Sequence, residues 1–384
     1  MNTQLNTWAA KTAEAYDKIA HTYNNAPAFY TQSDLTKIND SPSVLVMGIN
    51  PGSGGTYQEQ CKSEYWQLGG KPMDGTHLLK GNPSWSNRFD WPYWQRLYRL
   101  FDAQPHPLDY DHEFVVTNAT FFATPKAKNL LPQLLEETLP YTLELIEITN
   151  PRMIVVLSGN SLLKAIKAHC DVTGRRLEYA QTFASLGSIF TGQLEGIPCC
   201  GIPHPSACLF REERELMRKV VTQMYCCESI TADAYQDLLH SIRQRRNAKG
   251  LSKEEMATLF ELLIARMQSL PYPAYESCEK KFRRYDLCNG LQLTIGNNST
   301  THGLAIRPKN YKGEKDIDQI PMPHVRELLE CFDKVNYANT PAWLGMKDFS
   351  TLMVENDIES LAGSLVDEVE KLISEIHQIL PPFR

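Results

Sequence analysis

Four short runs in the first 225 residues are apolar along most of their length and rich in β-branched residues. Unbroken apolar runs, unlike alternating ones, are typical of strands that are covered on both faces. Helix-like segments separate the runs, so the order of elements predicts an α/β fold with a parallel sheet between helices. The strands are expected at residues 43–49, 114–120, 152–159 and 197–204, and the helices at 93–102, 131–149, 161–170 and 211–226.

The loops after these four strands are where the sequence predicts a ligand site. Right-handed crossovers bring the carboxyl ends of parallel strands to one edge of a sheet, and ligands of open α/β sheets bind there. We therefore expect four loops to meet at that edge, namely residues 52–55, 118–123, 159–161 and 204–210.

The second part of the chain has a different pattern. A chain of 384 residues exceeds a typical single domain, and the strand–helix alternation stops near residue 228. Ser252 followed by Glu255 predicts a capped helix, and LQLTIG and HGLAIRP predict paired strands. We expect one domain over residues 1–228 and an α-rich C-terminal domain of α+β composition over residues 229–384, whose function the sequence does not indicate.

The composition disfavours several classes of protein. No run of about 18 apolar residues predicts a membrane span, and the polar N-terminus does not resemble a signal peptide. The ten cysteines include no C-x-x-C spacing, which is poor for a metal site or a disulfide framework. We therefore expect a cytoplasmic protein without a metal or other cofactor. The net charge of -6 requires any DNA-binding surface to be a local patch.

The loop GINPG at residues 48–52 combines a fixed turn with bare backbone. Pro51 disfavours the helical region for Asn50, so the Asn50 amide is presented from a turn and can orient a water or a ligand edge. The glycines of this loop let backbone N–H groups approach a bound group closely. The Gly-Lys-Ser/Thr ending of a nucleotide-hydrolase phosphate loop is missing. A strand-ending Asn-Pro turn without a ligand is the structural alternative.

The segment GIPHPSACLF places His204 between two prolines at the end of the fourth strand. This position holds the histidine stiffly and directs its ring toward the crevice at the strand ends. Ser206 can cap the helix that begins near Arg211. A structural histidine is the alternative, but a position opposite Asn50 favours a functional one.

Together these elements resemble the uracil-DNA glycosylase superfamily. GINPG is similar to the first motif of its mismatch-specific and single-strand-selective branches, and HPSA at 204–207 is similar to the second motif of its histidine-bearing branches. Asn118, in FVVTNA, stands where the family keeps an asparagine that pairs with the flipped base. The resemblance covers about residues 40–225, with the motifs in the family's order. It implies a three-layer α/β/α fold with a short central parallel sheet.

The resemblance also implies roles for individual residues. A base must leave the stack to be reached, and the pocket then reads its edge, which would be the task of the Asn118 amide. Asn50 would position the attacking water, and His204 would donate a hydrogen bond to the negative charge that develops on the departing base. Ile49 and Gly52 would line the same pocket through their backbone.

Two further functions of the family have less distinct counterparts in this sequence. The aromatic ring that stacks on the flipped base is expected at Tyr57 or Phe89, with Trp66 and Trp85 as competing candidates or simple core residues. The wedge that enters the helix is expected after the histidine motif, and Leu209 is the best candidate. Ser206 and Arg211, with Arg214, would contact phosphates, and a solvated helix start is the alternative for both arginines.

The sequence therefore predicts a monofunctional DNA glycosylase, acting in base excision repair or defence on uracil or a related altered base. Its partner would be single-stranded DNA or a mismatched duplex with a flipped base. Hydrolysis without a Schiff base is expected because no lysine is evident at the predicted catalytic loop, and Lys62 and Lys71 are too distant in sequence. Two alternatives are a nucleic-acid-binding module with a glycosylase fold and little or no activity, and a hydrolase of free nucleosides.

Overall fold

The computed structural model describes residues 3–52, 55–101, 108–181, 189–205, 207, 209–228, 230–247, 250–277, 281–298, 301–309, 320–332, 334–335, 343–352 and 357–382. The chain divides into two compact units. The first contains residues 1–207 and 217–234, and the second contains residues 208–216 and 235–384. The boundary expected at residue 228 therefore differs from the structural one, because the segment that joins the units is shared between them.

A six-stranded sheet is the frame of the first unit. Its strands are β1 (Val44–Gly48), β2 (Phe114–Asn118), β3 (Ile154–Leu157), β4 (Leu177–Gln181), β5 (Phe190–Leu194) and β6 (Ile197–Ile202). They lie in the order β2-β1-β3-β6-β5-β4. The first four in this order run parallel, whereas β5 pairs antiparallel with β6 and β4. The α/β class and the four predicted parallel strands are confirmed.

The apolar composition of the central strands explains their position. Every residue of β1, β2 and β3 is buried, which requires cover on both faces of these strands. The hairpin β4–β5 was not predicted, because β5 is buried only at Phe190 and Leu194 and carries partly or fully exposed residues between them. Such an edge hairpin lacks the unbroken apolar run that identifies an interior strand.

Six helices of the described chain belong to the first unit. They are α1 (Thr3–Thr22), α2 (Tyr57–Lys62), α3 (Gly75–Lys80), α4 (Pro92–Tyr98), α5 (Pro132–Thr149) and α6 (Asn160–Thr173). A seventh helix, α7 (Arg211–Tyr225), has residues in both units. Helices α4 to α7 confirm the four predicted from sequence. Helix α5 starts with a proline at its first position, and α6 ends at Gly174 in the left-handed region, φ 75°, which are the ordinary start and stop signals of helices.

A second six-stranded sheet, antiparallel throughout, forms the centre of the second unit. Its strands are β7 (Ala274–Ser277), β8 (Phe282–Asp286), β9 (Leu291–Asn298), β10 (Thr301–Pro308), β11 (Lys334–Val335) and β12 (Gly345–Asp348). They lie in the order β11-β12-β10-β9-β8-β7. The pairing of β9 with β10 was predicted, but the other four strands were not, because they are short and carry charged residues.

The helices of the second unit are α8 (Gln236–Asn247), α9 (Lys253–Arg266), α10 (Met322–Leu328) and α11 (Ile358–Ile379). Helix α9 begins with the predicted capping box, in which Ser252 and Glu255 bond each other's backbone N–H groups. Apolar residues of α9, α11 and β9 share one buried core. The unit is therefore α+β. None of the described helices has both the length and the apolar composition that a membrane span requires.

Candidate functional site

A cavity of about 620 Å³ opens at the carboxyl ends of the parallel strands in the first unit. We call it the strand-end cavity. Gly48 to Gly52 enter it from β1, Asn118 from the end of β2, Ser158 from β3 and His204 from β6, so the predicted convergence of the strand ends is confirmed. The other lining residues are Tyr30, Gln32, Asn82, Trp91, Tyr93, Val116, Thr124, Pro125, Lys126 and Ala127.

Asn50 is held in one orientation by hydrogen bonds from its amide nitrogen. Nδ2 donates to Thr124 Oγ1 at 2.9 Å, to the Thr124 carbonyl oxygen at 3.2 Å and to the Pro51 carbonyl oxygen at 2.7 Å. Its Oδ1 accepts no hydrogen bond from any residue that the structure describes. Since the nitrogen is fully engaged, the side chain offers the cavity an acceptor, which suits a water molecule.

Asn118 presents the opposite functional group. Its side chain is only 5% exposed, and Nδ2 is buried without a hydrogen-bond partner among the described residues. Oδ1 lies over Gly48, where a Cβ atom would come within 2.8 Å of it. An unpaired buried amide costs about 1–3 kcal/mol, and native proteins rarely keep one without a reason. A residue that lines the cavity therefore has a buried donor that lacks an acceptor among the described residues.

His204 is held as a neutral ring at the edge of the strand-end cavity. Its imidazole stacks on Tyr93, with centroids 5.7 Å apart and an angle of 29° between the planes. Burial, and then the positive charge of Arg96, lowers the pKa of His204 below its usual value of 6.5. The ring is therefore uncharged at neutral pH and carries one N–H group and one acceptor nitrogen.

The aromatic walls of the cavity are not those expected from sequence. Tyr30, Trp91 and Tyr93 line it, and the Tyr30 hydroxyl donates to the Gly52 carbonyl oxygen at 3.1 Å. Tyr57 lies instead in the core, because its hydroxyl donates to Asp17 Oδ1 at 2.6 Å and its ring packs on Phe29. Phe89 lines a neighbouring cavity.

The predicted DNA contacts after the histidine motif belong to a different part of the structure. Leu209 and Arg211 are part of the second unit, and Ser206 lies outside the described residues. The guanidinium of Arg214 donates to the backbone carbonyl oxygens of Leu209, Glu330 and Phe332 within this unit. Arg214 thus has a structural task that the sequence did not reveal.

Several cavity residues escaped prediction from the sequence. Ser158 has φ 78° in the left-handed region, which is unusual for a residue other than glycine and is often found at functional sites. The Ser-Gly pair that ends β3 was the available signal for it. Thr124 and Lys126 follow β2 in an irregular loop, where no periodicity points to a shared site.

The charge of the cavity limits the chemistry that it can support. No described lining residue carries a carboxylate, and Lys126 is the one lysine or arginine among the described lining residues. General-base catalysis by a carboxylate therefore has no candidate among the described lining residues. The available groups are an acceptor on Asn50, a buried donor on Asn118 and the neutral ring of His204.

Comparison with known proteins adds no family to these findings. No protein-family model matches the chain, and no curated protein matches it significantly.

Proposed function

We propose that the chain is a DNA glycosylase with a uracil-DNA glycosylase-like first unit, which hydrolyses the N-glycosidic bond of uracil or a related altered base. The observation that carries the proposal is the buried, unpaired Nδ2 of Asn118, a residue that lines the strand-end cavity. A flipped uracil-like base has a ring carbonyl that would accept from this donor. The cavity of about 620 Å³ has room for a whole nucleotide.

The arrangement supports a dissociative reaction. The bond between C1′ of the sugar and the base nitrogen breaks first, and the electron pair leaves with the base. The neutral His204 ring would donate its N–H to the oxygen on which this negative charge develops. A single preorganised donor of this kind typically contributes about 3 kcal/mol, or roughly 100-fold in rate.

Asn50 completes the reaction by placing the water. With Nδ2 held by Thr124, the free Oδ1 accepts from a water molecule, whose oxygen then adds to C1′. The proton that this water releases passes to the base or to solvent. An amide oxygen is a weak base, which fits a reaction in which water adds after the glycosidic bond is largely broken.

Lys126 bears on the proposal of hydrolysis without a Schiff base. The sequence shows no lysine at the predicted catalytic loop, whereas Lys126 lines the strand-end cavity of the structure. Schiff-base lysines are activated by desolvation in apolar pockets, but the Lys126 side chain is exposed. We therefore retain the monofunctional proposal, and borohydride trapping of a protein–DNA adduct tests it directly.

The decisive experiment measures base release from single-stranded and U·G-containing oligonucleotides, with alkali to reveal abasic sites. Asn118→Ala, Asn50→Ala and His204→Ala are each expected to lower the rate roughly 100-fold. Asn129→Ala is the matched control, because Asn129 is exposed in the loop beyond Lys126 and does not line the cavity.

If all four variants release the base at the wild-type rate, the proposed site is refuted. If the chain binds DNA but releases none of the four bases tested (uracil, hypoxanthine, xanthine and a modified pyrimidine), a catalytically silent reader of DNA would instead be favoured. Cleavage of free nucleosides without DNA binding would favour the small-molecule hydrolase.

A further inference from the structure

A second cavity, of about 510 Å³, lies beside the strand-end cavity in the first unit. We call it the flanking cavity. Its lining includes Tyr65, Trp66, Lys80, Asn82 and Phe89. Asn82 lines both cavities. The two cavities are therefore neighbours.

We propose that the flanking cavity binds the base of a nucleotide adjacent to the flipped one, in single-stranded DNA. The inference rests on the proposed function for the choice of DNA as the ligand. The flanking cavity would be a second subsite, where a neighbouring base stacks. The chain would consequently prefer unpaired strands of DNA.

Two exposed aromatic rings supply the stacking platform. Tyr65 is 47% exposed and Phe89 is 50% exposed, and both line the flanking cavity. Among the described residues of the first unit, Tyr98 is the one other large aromatic side chain with comparable exposure. Single-stranded nucleic acids bind to such rings because every base has a face that can stack on them.

The Tyr65 ring is held in place by a hydrogen-bonded chain that leads to the strand-end cavity. Its hydroxyl donates to Asn82 Oδ1 at 2.8 Å, and Asn82 Nδ2 donates to Gln32 Oε1 at 3.4 Å. Gln32 lines the strand-end cavity. A base that stacks on Tyr65 therefore contacts a side chain that is linked, through the hydrogen bonds of Asn82, to Gln32 in the strand-end cavity.

The wall between the cavities favours an unpaired strand. Tyr30 lines the strand-end cavity, Trp66 lines the flanking cavity, and their rings pack together with centroids 4.8 Å apart. Neighbouring bases in a duplex are separated by about 3.4 Å, which leaves no room for two protein rings between them. Two neighbouring bases that occupy the two cavities must therefore be splayed apart. A duplex would lose base pairs in this arrangement, whereas an unpaired strand would not.

The charges around the flanking cavity permit a phosphate backbone to approach. Asp34 pairs with Lys37 at 3.6 Å, and Asp111 pairs with Arg88 at 2.7 Å. Lys80 has no carboxylate partner among the described residues. Because both carboxylates are neutralised by their partners, the lining as a whole carries an excess positive charge, in contrast to the net charge of -6 of the chain.

The test separates DNA binding from base release. Fluorescence anisotropy is measured with a labelled single-stranded oligonucleotide that contains one uracil. Tyr65→Leu and Phe89→Leu are each expected to weaken binding by roughly 10-fold, as for the loss of one stacked base. Tyr65→Phe keeps the ring and is expected to retain most of the affinity, and Tyr98→Leu is the matched control with unchanged affinity.

A second arm uses abasic spacers on either side of the uracil. One of the two spacers is expected to weaken binding to the wild type by roughly 10-fold and to have no further effect on Tyr65→Leu. If uracil is released but neither the variants nor the spacers alter binding, the flanking cavity is refuted and the proposed function stands. If the variants and one spacer alter binding but no base is released, the flanking cavity stands and the proposed function fails. Equal affinity for a U·G duplex, with the same sensitivity to Tyr65→Leu, would also refute the inference.

Discussion

Replacing Gly48 by alanine is expected to disable base recognition while leaving the fold intact. Gly48 lies in β1 outside the left-handed region, so its backbone accepts an alanine without strain. The new Cβ would lie 2.8 Å from Asn118 Oδ1 and 3.9 Å from its Cγ. Ordinary contact begins near 3.4 Å, so the Asn118 amide has to move by at least about 0.6 Å.

The expected magnitudes differ for stability and for activity. Asn118 lines the cavity and has no hydrogen bond from Nδ2 to lose, so its displacement should lower the free energy of unfolding by only about 1 kcal/mol, the lower end of the range for overpacking. A misplaced amide loses its hydrogen bonds to the base, which contribute roughly 1–3 kcal/mol. Base release under single-turnover conditions should therefore fall roughly 5- to 150-fold.

The assay compares Gly48→Ala, Asn118→Ala and the double variant, with single-turnover base release and thermal unfolding measured for each. Because Gly48→Ala acts through the Asn118 side chain, the double variant should release base no more slowly than Asn118→Ala alone. Wild-type rates in Gly48→Ala, or additive losses in the double variant, would refute the reasoning that Asn118 reads the base.

Four further substitutions test the surroundings of the site. Thr124→Val removes a hydroxyl that accepts from Asn50 Nδ2 and should slow base release roughly 10-fold with little change in DNA affinity, as measured by single-turnover kinetics and anisotropy. Because burial lowers the pKa of His204, protonation favours the unfolded chain as the pH falls below 6.5, and the free energy of unfolding decreases by up to about 1.4 kcal/mol per pH unit. His204→Gln should lose this part of the pH dependence when urea unfolding is measured at pH 7 and pH 5. The same pH dependence in the wild type and the variant would contradict this prediction. Arg88→Gln should lower the free energy of unfolding by roughly 2–4 kcal/mol, since Arg88 is 2% exposed and its guanidinium lies against three aromatic rings. Asp111→Asn, which removes its half-exposed partner, should cost only about 1 kcal/mol in thermal denaturation.

The sequence was informative where the chain is fully buried. The unbroken apolar runs of β1, β2 and β3 can only be interior strands, and parallel connection then fixes which of their ends carries the site. Asn50, Asn118 and His204 were predicted to lie together because each follows or ends such a strand. Their contacts to one cavity follow from the sheet alone.

The sequence was uninformative where side-chain direction depends on an irregular path. Tyr57 points into the core because Asp17, 40 residues earlier, accepts its hydroxyl, and no local pattern encodes that pairing. Tyr93 reaches the cavity because α4 stacks it on His204, a contact between segments far apart in the chain. Aromatic residues look alike in sequence whether they pack in a core or line a cavity, so tertiary contacts decide between the two.

The groups around the strand-end cavity also bear on the choice between an enzyme and a silent reader of DNA. In the proposed function, recognition of a flipped base uses the donor on Asn118 and does not need a fixed acceptor on Asn50. The three hydrogen bonds that hold Asn50 Nδ2 leave Oδ1 available as an acceptor, which the proposed reaction would use to hold the water. Tyr93 likewise fixes a His204 ring that burial keeps neutral. Both features favour catalysis, and they predict that Asn50→Ala lowers the rate of base release roughly 100-fold while leaving the affinity for DNA nearly unchanged; a parallel loss of both would assign Asn50 to binding alone.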